Sequence, residues 1–430
     1  MSRYLAYTSP ARGHLYPLTP VLDELRSRGH TVAVRTLPSE VEMLRERGLE
    51  ARGIDPWLAS SEVGDYKAKT PIGAERASVR TFAERAAHEV PDLRRAIEAE
   101  HPDALLVDIN TWGASALAEA SGMPWAHFCP YPLPVPSRDV PPFGLGLAPA
   151  KGRAGRLRDA IVRRALFDPL VRLAKPKLNA IRTELGLEPL VRGIDAFRRA
   201  PLLLYFTAEP FEYPRSDWPD SVLQVGSSSW EPPAESPDWL GDLESPLVLV
   251  TMSSEYQADE KLVETALAAL HDSPVSVVAT TGAGDPARFD VPANARVEAF
   301  LPHGPIIAQA SCVVCHGGMG ITQKAISAGV PVCAVPFGRD QLEVARRVEL
   351  SGAGTQLSAM RLKPDRLREA VFRAIERKPG AERVARAFAQ GGGALRAADG
   401  LETLVGTGRP LAASSPSLAE RKIDHQGASR

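Results

Sequence analysis

The chain has 430 residues, of which 51 are basic and 52 acidic, for a net charge of −1; 44% are hydrophobic and 24% charged. This balance offers no overall field for nucleic acid or an anionic membrane, and no run of about 18 apolar residues is present that could span a bilayer. Single cores stop growing at roughly 250–300 residues, so two domains are predicted. The four cysteines (Cys129, Cys312, Cys315 and Cys333) are too few for a disulfide framework. The first residues, Met1 to Tyr7, lack the apolar stretch and small-residue cleavage site of a signal peptide, and a cytoplasmic location is expected.

Tyr4–Tyr7 is short and apolar and reads as a strand. Ser9 to His14 is a turn-rich loop, and Leu18, Val21, Leu22 and Leu25 then fall on one face of a helix that Gly29 ends. Thr31–Val34 is the next strand, so the start is a βαβ unit of a parallel sheet. Further strands are predicted at Ala104–Val107, at Trp125–Phe128 and at Leu202–Tyr205. Pro130 to Pro149 is proline-rich and reads as a loop covering a pocket. Residues 226–245, rich in Ser, Pro, Glu, Asp and Trp, carry no periodicity and read as a linker. A second series follows at Leu247–Val250, Val275–Val278, Arg296–Ala299, Cys312–Cys315 and Val332–Val335, with helical stretches between. The fold class is therefore α/β, with two doubly wound domains facing a cleft where the strand ends meet. The expected division is 1–225, linker 226–245, 246–380, a C-terminal helix over 381–405 crossing back to the first domain, and an unstructured tail over 406–430.

The turn Cys315-His316-Gly317-Gly318-Met319-Gly320 joins a buried strand to a helix almost without side chains. Free backbone N–H groups and the positive helix end make such a turn a phosphate site, here beside an imidazole. Asp340 and Gln341 follow a later strand and the turn Pro336-Phe337-Gly338, and a carboxylate beside a carboxamide suits a hydroxyl-rich ligand. His14 and Asp108 each follow a strand of the first sheet, so one edge can hold an imidazole with a carboxylate that fixes its tautomer. Cys312-Val313-Val314-Cys315-His316 matches a haem-attachment spacing, but strand alternation points instead to buried thiols, and no zinc set completes it. No carboxylate cluster with metal-ligand spacing is visible.

Taken together, these residues resemble glycosyltransferase family 1, the GT-B enzymes that glycosylate natural products, over about residues 1 to 395. The similarity is greatest to the bacterial, macrolide-type branch. Pro10-Ala11-Arg12-Gly13-His14 is similar to the loop whose histidine is that family's general base, and Asp108 to the aspartate that orients it. The resemblance implies that Phe300 stacks on the nucleobase and that Leu301 pairs with its edge. It also implies that His316, Gly317, Gly318 and Gly320 hold the diphosphate, joined by Thr322 and Ser254, and that Asp340 and Gln341 bind sugar hydroxyls. Three positions depart from the family: Ile321 stands for Ser or Thr, Lys324 for a ribose-binding Glu, and His303 for Gln. Trp57, Phe82, Trp112, Phe128, Tyr131 and Phe143 are candidates for the acceptor pocket.

The resemblance implies an inverting, metal-independent transfer of a sugar from a UDP- or dTDP-sugar to a hydroxyl of a hydrophobic polyketide, macrolide or flavonoid. No cofactor, nucleic acid or membrane partner is expected, and the chain is expected as a monomer or homodimer. A sugar-nucleotide epimerase of the same fold and a non-catalytic sugar-nucleotide-binding protein stand as alternatives.

Overall fold

The structure is a computed structural model that describes residues 1–68, 70–243, 245–253, 260–282 and 284–411. Ser254 and residues 412–430 of the expected tail lie outside the described residues.

Two parallel sheets carry the fold. The first has seven strands in the order β3-β2-β1-β4-β5-β6-β7. These are β1 Arg3–Tyr7, β2 Thr31–Thr36, β3 Glu50–Gly53, β4 Ala104–Asp108, β5 Trp125–Cys129, β6 Leu202–Tyr205 and β7 Val222–Gln224. The second has six strands in the order β10-β9-β8-β11-β12-β13. They are β8 Leu247–Thr251, β9 Ser276–Thr280, β10 Ala295–Glu298, β11 Ala310–Cys315, β12 Val332–Ala334 and β13 Gly354–Gln356. Helices cover both faces of each sheet, which is why the strands read as unbroken apolar runs. In β1, Tyr4 and Ala6 enter one core while Leu5 and Tyr7 enter the core on the opposite face. In β11, Cys312 and Cys315 likewise face opposite cores and are free buried thiols, so they cannot share a metal ion or a haem.

β3, β7 and β13 escape the sequence reading. They have three or four residues each, and in β3 only Ala51 is buried. The loop predicted over Ser9 to His14 also proves shorter. The helix starts at Arg12, with the N–H groups of His14 and Leu15 already bonded to the Ala11 carbonyl.

The chain returns to the first sheet near its end. The Lys378–Gln390 helix packs Ala381, Val384 and Phe388 into the core of the second sheet. The Gly393–Thr407 helix packs Ala397, Ala398, Leu401 and Leu404 beside the Arg12–Ser27 helix on the first. Between them Gly391 lies against Gly226, where a methyl on either residue would overlap the other segment's backbone. Gly393 N–H then bonds the Val225 carbonyl at 2.6 Å. Small residues therefore let the two interdomain segments cross in contact.

Candidate active site

β1 lies between β2 and β4, so the order in which successive strands are added reverses between β1 and β4 while all strands stay parallel. The loops after these strands diverge there and leave a crevice. The same reversal falls between β8 and β11 in the second sheet. The two crevices open into one cavity of about 1190 Å³, lined by both domains.

On the first sheet, Asp108 ends β4 and is fully buried. Its carboxylate accepts the Ser9 N–H at 3.0 Å, the Ser9 hydroxyl at 2.8 Å and the Asn110 N–H at 2.9 Å. His14 Nδ1 lies 2.9 and 3.0 Å from its two oxygens. A carboxylate can only accept, which assigns the proton to Nδ1 and leaves Nε2 as the basic nitrogen. Burial pushes the Asp108 carboxyl up, but His14 and these N–H donors outweigh it and hold the group below the usual carboxylate range. Asn110 Nδ2 lies 3.4 Å from His14 Nε2, while its Oδ1 accepts the Tyr131 hydroxyl at 2.7 Å. Asn110 was not anticipated; its position two residues beyond Asp108 is the only trace it leaves in the sequence.

On the second sheet, the chain leaves β11 through His316 and Gly317, whose φ of +85° suits glycine. Gly318 is the N-cap of the Met319–Ser327 helix and no side chain caps that end. The first N–H groups of a helix have no partner within it, and here they border the cavity. His316 lies against Gly318 so closely that a methyl there would overlap its Nε2. Burial, and then the Arg339 guanidinium, push the His316 imidazole down to about 4, so the ring is neutral at pH 7. Its Nδ1 is buried with no hydrogen-bond partner among the described residues. Gly320 borders the cavity with no atom near its Cβ position. Phe300 is 73% exposed at the rim, beside partly buried Leu301.

Asp340 and Gln341 also line the cavity. Gln341 Oε1 accepts the N–H groups of Phe337 and Gly338 at 2.8 and 3.0 Å, which fixes the turn. Arg339 adopts φ +53°, a strained value for a residue with a side chain, and pairs across the cleft with Asp65 at 2.5 and 2.9 Å. The linker contributes Glu231, which accepts the Gly304 N–H at 2.6 Å and pairs with Lys324 at 2.5 Å. Lys324 is therefore engaged by a linker carboxylate that sequence reasoning did not single out. His303 sits 3.0 Å from Thr280 Oγ1, and burial, then Lys324, push it down to about 4.

Three expectations fail. Thr322 is fully buried, with its hydroxyl 3.8 Å from Cys315 Sγ, because the fourth residue of the helix turns away from the helix end. Trp57 stacks on His88 at 3.8 Å and is not among the residues lining the cavity. Phe128 points from β5 into the core, stacked with Phe206. Phe82, Trp112, Tyr131 and Phe143 do line the cavity; Phe82 and Trp112 meet edge to face at 5.5 Å. Among the described residues, no group of three or more His, Cys, Asp or Glu side chains could hold a metal ion, and no helix is long and apolar enough to cross a membrane.

Residues 264–391 match the model for the erythromycin biosynthesis protein CIII-like C-terminal domain. The chain is 34% identical over 392 residues to 4'-demethylrebeccamycin synthase of Lentzea aerocolonigenes, covering 88% of this chain and 92% of that one. It is 30% identical over 343 residues to a PGL/p-HBAD biosynthesis glycosyltransferase of Mycobacterium tuberculosis, covering 74% and 76%. The chain belongs to glycosyltransferase family 1. The structure of the glycosyltransferase VinC in complex with dTDP superposes with a TM-score of 0.68 at 22% identity, covering 94% of this chain and 99% of that one. This glycosyltransferase therefore has the GT-B fold, and it is an enzyme of the natural-product type.

Proposed function

We propose that this glycosyltransferase transfers a sugar, with inversion, from a UDP- or dTDP-sugar to a hydroxyl of a hydrophobic small molecule. The observation that carries this reading is the placement of two features on one cavity. The His14–Asp108 pair lies on the first domain, and the uncapped end of the Met319–Ser327 helix lies on the second. His14 Nε2 takes the acceptor proton, Asp108 stabilises the imidazolium, and the hydroxyl oxygen attacks the anomeric carbon opposite the nucleotide. The leaving diphosphate meets the free N–H groups at Gly318 to Gly320, the helix dipole and neutral His316. Phe300, exposed beyond what a solvated surface favours, is the platform for the base, and Asp340 and Gln341 face the sugar. Phe82, Trp112, Tyr131 and Phe143 give the acceptor side an aromatic wall. The neighbour solved with dTDP supports a nucleoside diphosphate as the shared ligand.

Titration with UDP, dTDP and GDP, read as melting temperature, tests the donor assignment. A ligand at roughly 100 times its Kd adds about 2.7 kcal/mol to stability. UDP or dTDP should raise the transition and GDP should not; a protein indifferent to all three would overturn the reading. Gly318→Ala isolates the phosphate cradle. Its backbone, at φ −64° and ψ 141°, accepts alanine without strain, but the new methyl displaces the His316 ring. The expected result is a near-wild-type melting temperature with diphosphate affinity about tenfold weaker or more, as for loss of one hydrogen bond to a charged group. Unchanged affinity by calorimetry would exclude His316 from the site.

A further inference from the structure

Asp108 accepts from His14 Nδ1–H, so Nε2 carries a lone pair and can only accept. The group opposite Nε2 is the Asn110 side chain, with Nδ2 at 3.4 Å. The tautomer of the ring thus sets the direction of the amide: its nitrogen faces His14, and its Oδ1 is turned to Tyr131. Tyr131 imposes the same direction from the other end. Burial pushes its hydroxyl well above the usual phenol range, so it stays protonated and donates to Oδ1 at 2.7 Å. The main chain is held as firmly. The Asn110 N–H bonds Asp108 Oδ1 at 2.9 Å, and the Thr111 N–H and hydroxyl bond the Asp108 carbonyl at 3.0 and 2.7 Å. Backbone and side chain of Asn110 are thereby both fixed, and the residue lines the cavity beside His14 and Tyr131. Nδ2 carries two N–H groups, yet it makes no other hydrogen bond with a described residue.

We propose that Asn110 is a further catalytic residue, donating an amide N–H to the acceptor oxygen as that oxygen gives its proton to His14, and that Tyr131 positions the amide. This rests on the reading of His14 as general base above. The contact to Nε2 is long, since N–H donors usually lie about 2.7–3.2 Å from their acceptors, so the amide is not committed to the ring. An oxygen at an ordinary hydrogen-bond distance of about 2.8–3.0 Å from both nitrogens completes a triangle with them. A hydroxyl has one proton to give and two lone pairs. In that triangle its O–H points at Nε2, one lone pair accepts from Asn110, and the other attacks the anomeric carbon. The proton passes to Nε2, the new C–O bond forms from the attacking pair, and the bond to the diphosphate breaks with its electrons. Negative charge that gathers on the acceptor oxygen meets a donor already aimed by Tyr131, so no group has to reorganise when the charge appears.

The test compares two hydroxycoumarins that the wild type glycosylates, one protonated at the assay pH and its difluoro analogue, ionised there. On the protonated acceptor, Asn110→Ala should lower kcat by about 10²-fold, the lower end of what one oxyanion donor contributes. The ionised acceptor has already lost its proton, so His14→Ala should approach the wild-type rate on it. Asn110→Ala should stay slow there, because the amide acts on the oxygen and not through the imidazole. A kcat close to wild type on the protonated acceptor, or recovery of Asn110→Ala alongside His14→Ala on the ionised one, would overturn the proposal. Melting temperatures report folding. The double variant Asn110→Ala with Tyr131→Phe removes the hydroxyl that the single variant leaves unpartnered, and should show the same loss of kcat. Tyr131→Phe alone should lower kcat by about tenfold, as for loss of one hydrogen bond, with the acceptor KM little changed; a change in KM alone would overturn its positioning role. A His14→Ala variant that stays slow on the ionised acceptor would remove the general-base reading itself, and the proposal with it.

Discussion

His14→Ala is expected to lower turnover by about 10²–10⁴-fold, the usual worth of a positioned general base, with the melting temperature close to wild type. Both halves follow from the geometry. The imidazole is 16% exposed in the first turn of its helix, so its loss opens little of the core. Asp108 is fully buried and would be costly to leave unpartnered, yet it keeps three donors in the variant, namely the Ser9 N–H, the Ser9 hydroxyl and the Asn110 N–H. The carboxylate therefore stays satisfied while the proton acceptor is gone. Residual rate should persist if the N–H groups at Gly318 to Gly320 stabilise the leaving group as proposed. Single-turnover measurement with enzyme in excess over donor, at saturating acceptor, separates chemistry from binding and product release. Unchanged turnover would remove His14 from the reaction, whereas a fall in step with a collapsed melting temperature would mean that its part is structural.

Much of this arrangement was legible because parallel sheets constrain where chemistry collects. His14 and Asp108 are 94 residues apart, but Asp108 ends β4 and His14 follows β1, and adjacent parallel strands bring their carboxyl ends to the same edge. The glycine turn at His316 was legible for a local reason, since backbone conformation and the absence of side chains are written in residue type. Aromatic residues carried no such information. Phe128 and Tyr131 are three positions apart, and only the end of β5 decides that the first faces the core while the second reaches the cavity. Thr322 was misplaced by a similar margin: one turn along a helix changes the face. Glu231 and Glu343 were invisible because an isolated acidic residue on a helix or in a linker reads as a solvated charge. Their significance arises from partners between 72 and 199 residues away.

Glu343→Ala should cost about 3 kcal/mol of stability, the lower end of what breaking a buried ion pair costs, and should weaken acceptor binding more than donor binding. Glu343 is 2% exposed on the Gln341–Ser351 helix. One oxygen holds the N–H groups of Gly144 and Gly146 at 3.0 and 2.9 Å, and the other holds Arg347. Arg347 keeps a second buried partner in Glu212, at 2.9 and 3.2 Å, which is why the lower end of the range applies. The loop has no such reserve at Gly144 and Gly146, whose N–H groups lose their acceptor. That loop carries Phe143, which lines the cavity next to Tyr131 at 6.3 Å between ring centroids. One carboxylate thus fastens the Phe143–Gly146 loop, the proposed acceptor wall of the first domain, to the helix of the second that begins at Gln341. Loosening it should raise the KM for the acceptor while calorimetric affinity for the nucleotide stays near wild type, because the cradle at Gly318 is built on a different helix. Equal losses for donor and acceptor would show that the two domains respond as one body and that Glu343 has no selective hold on the acceptor wall.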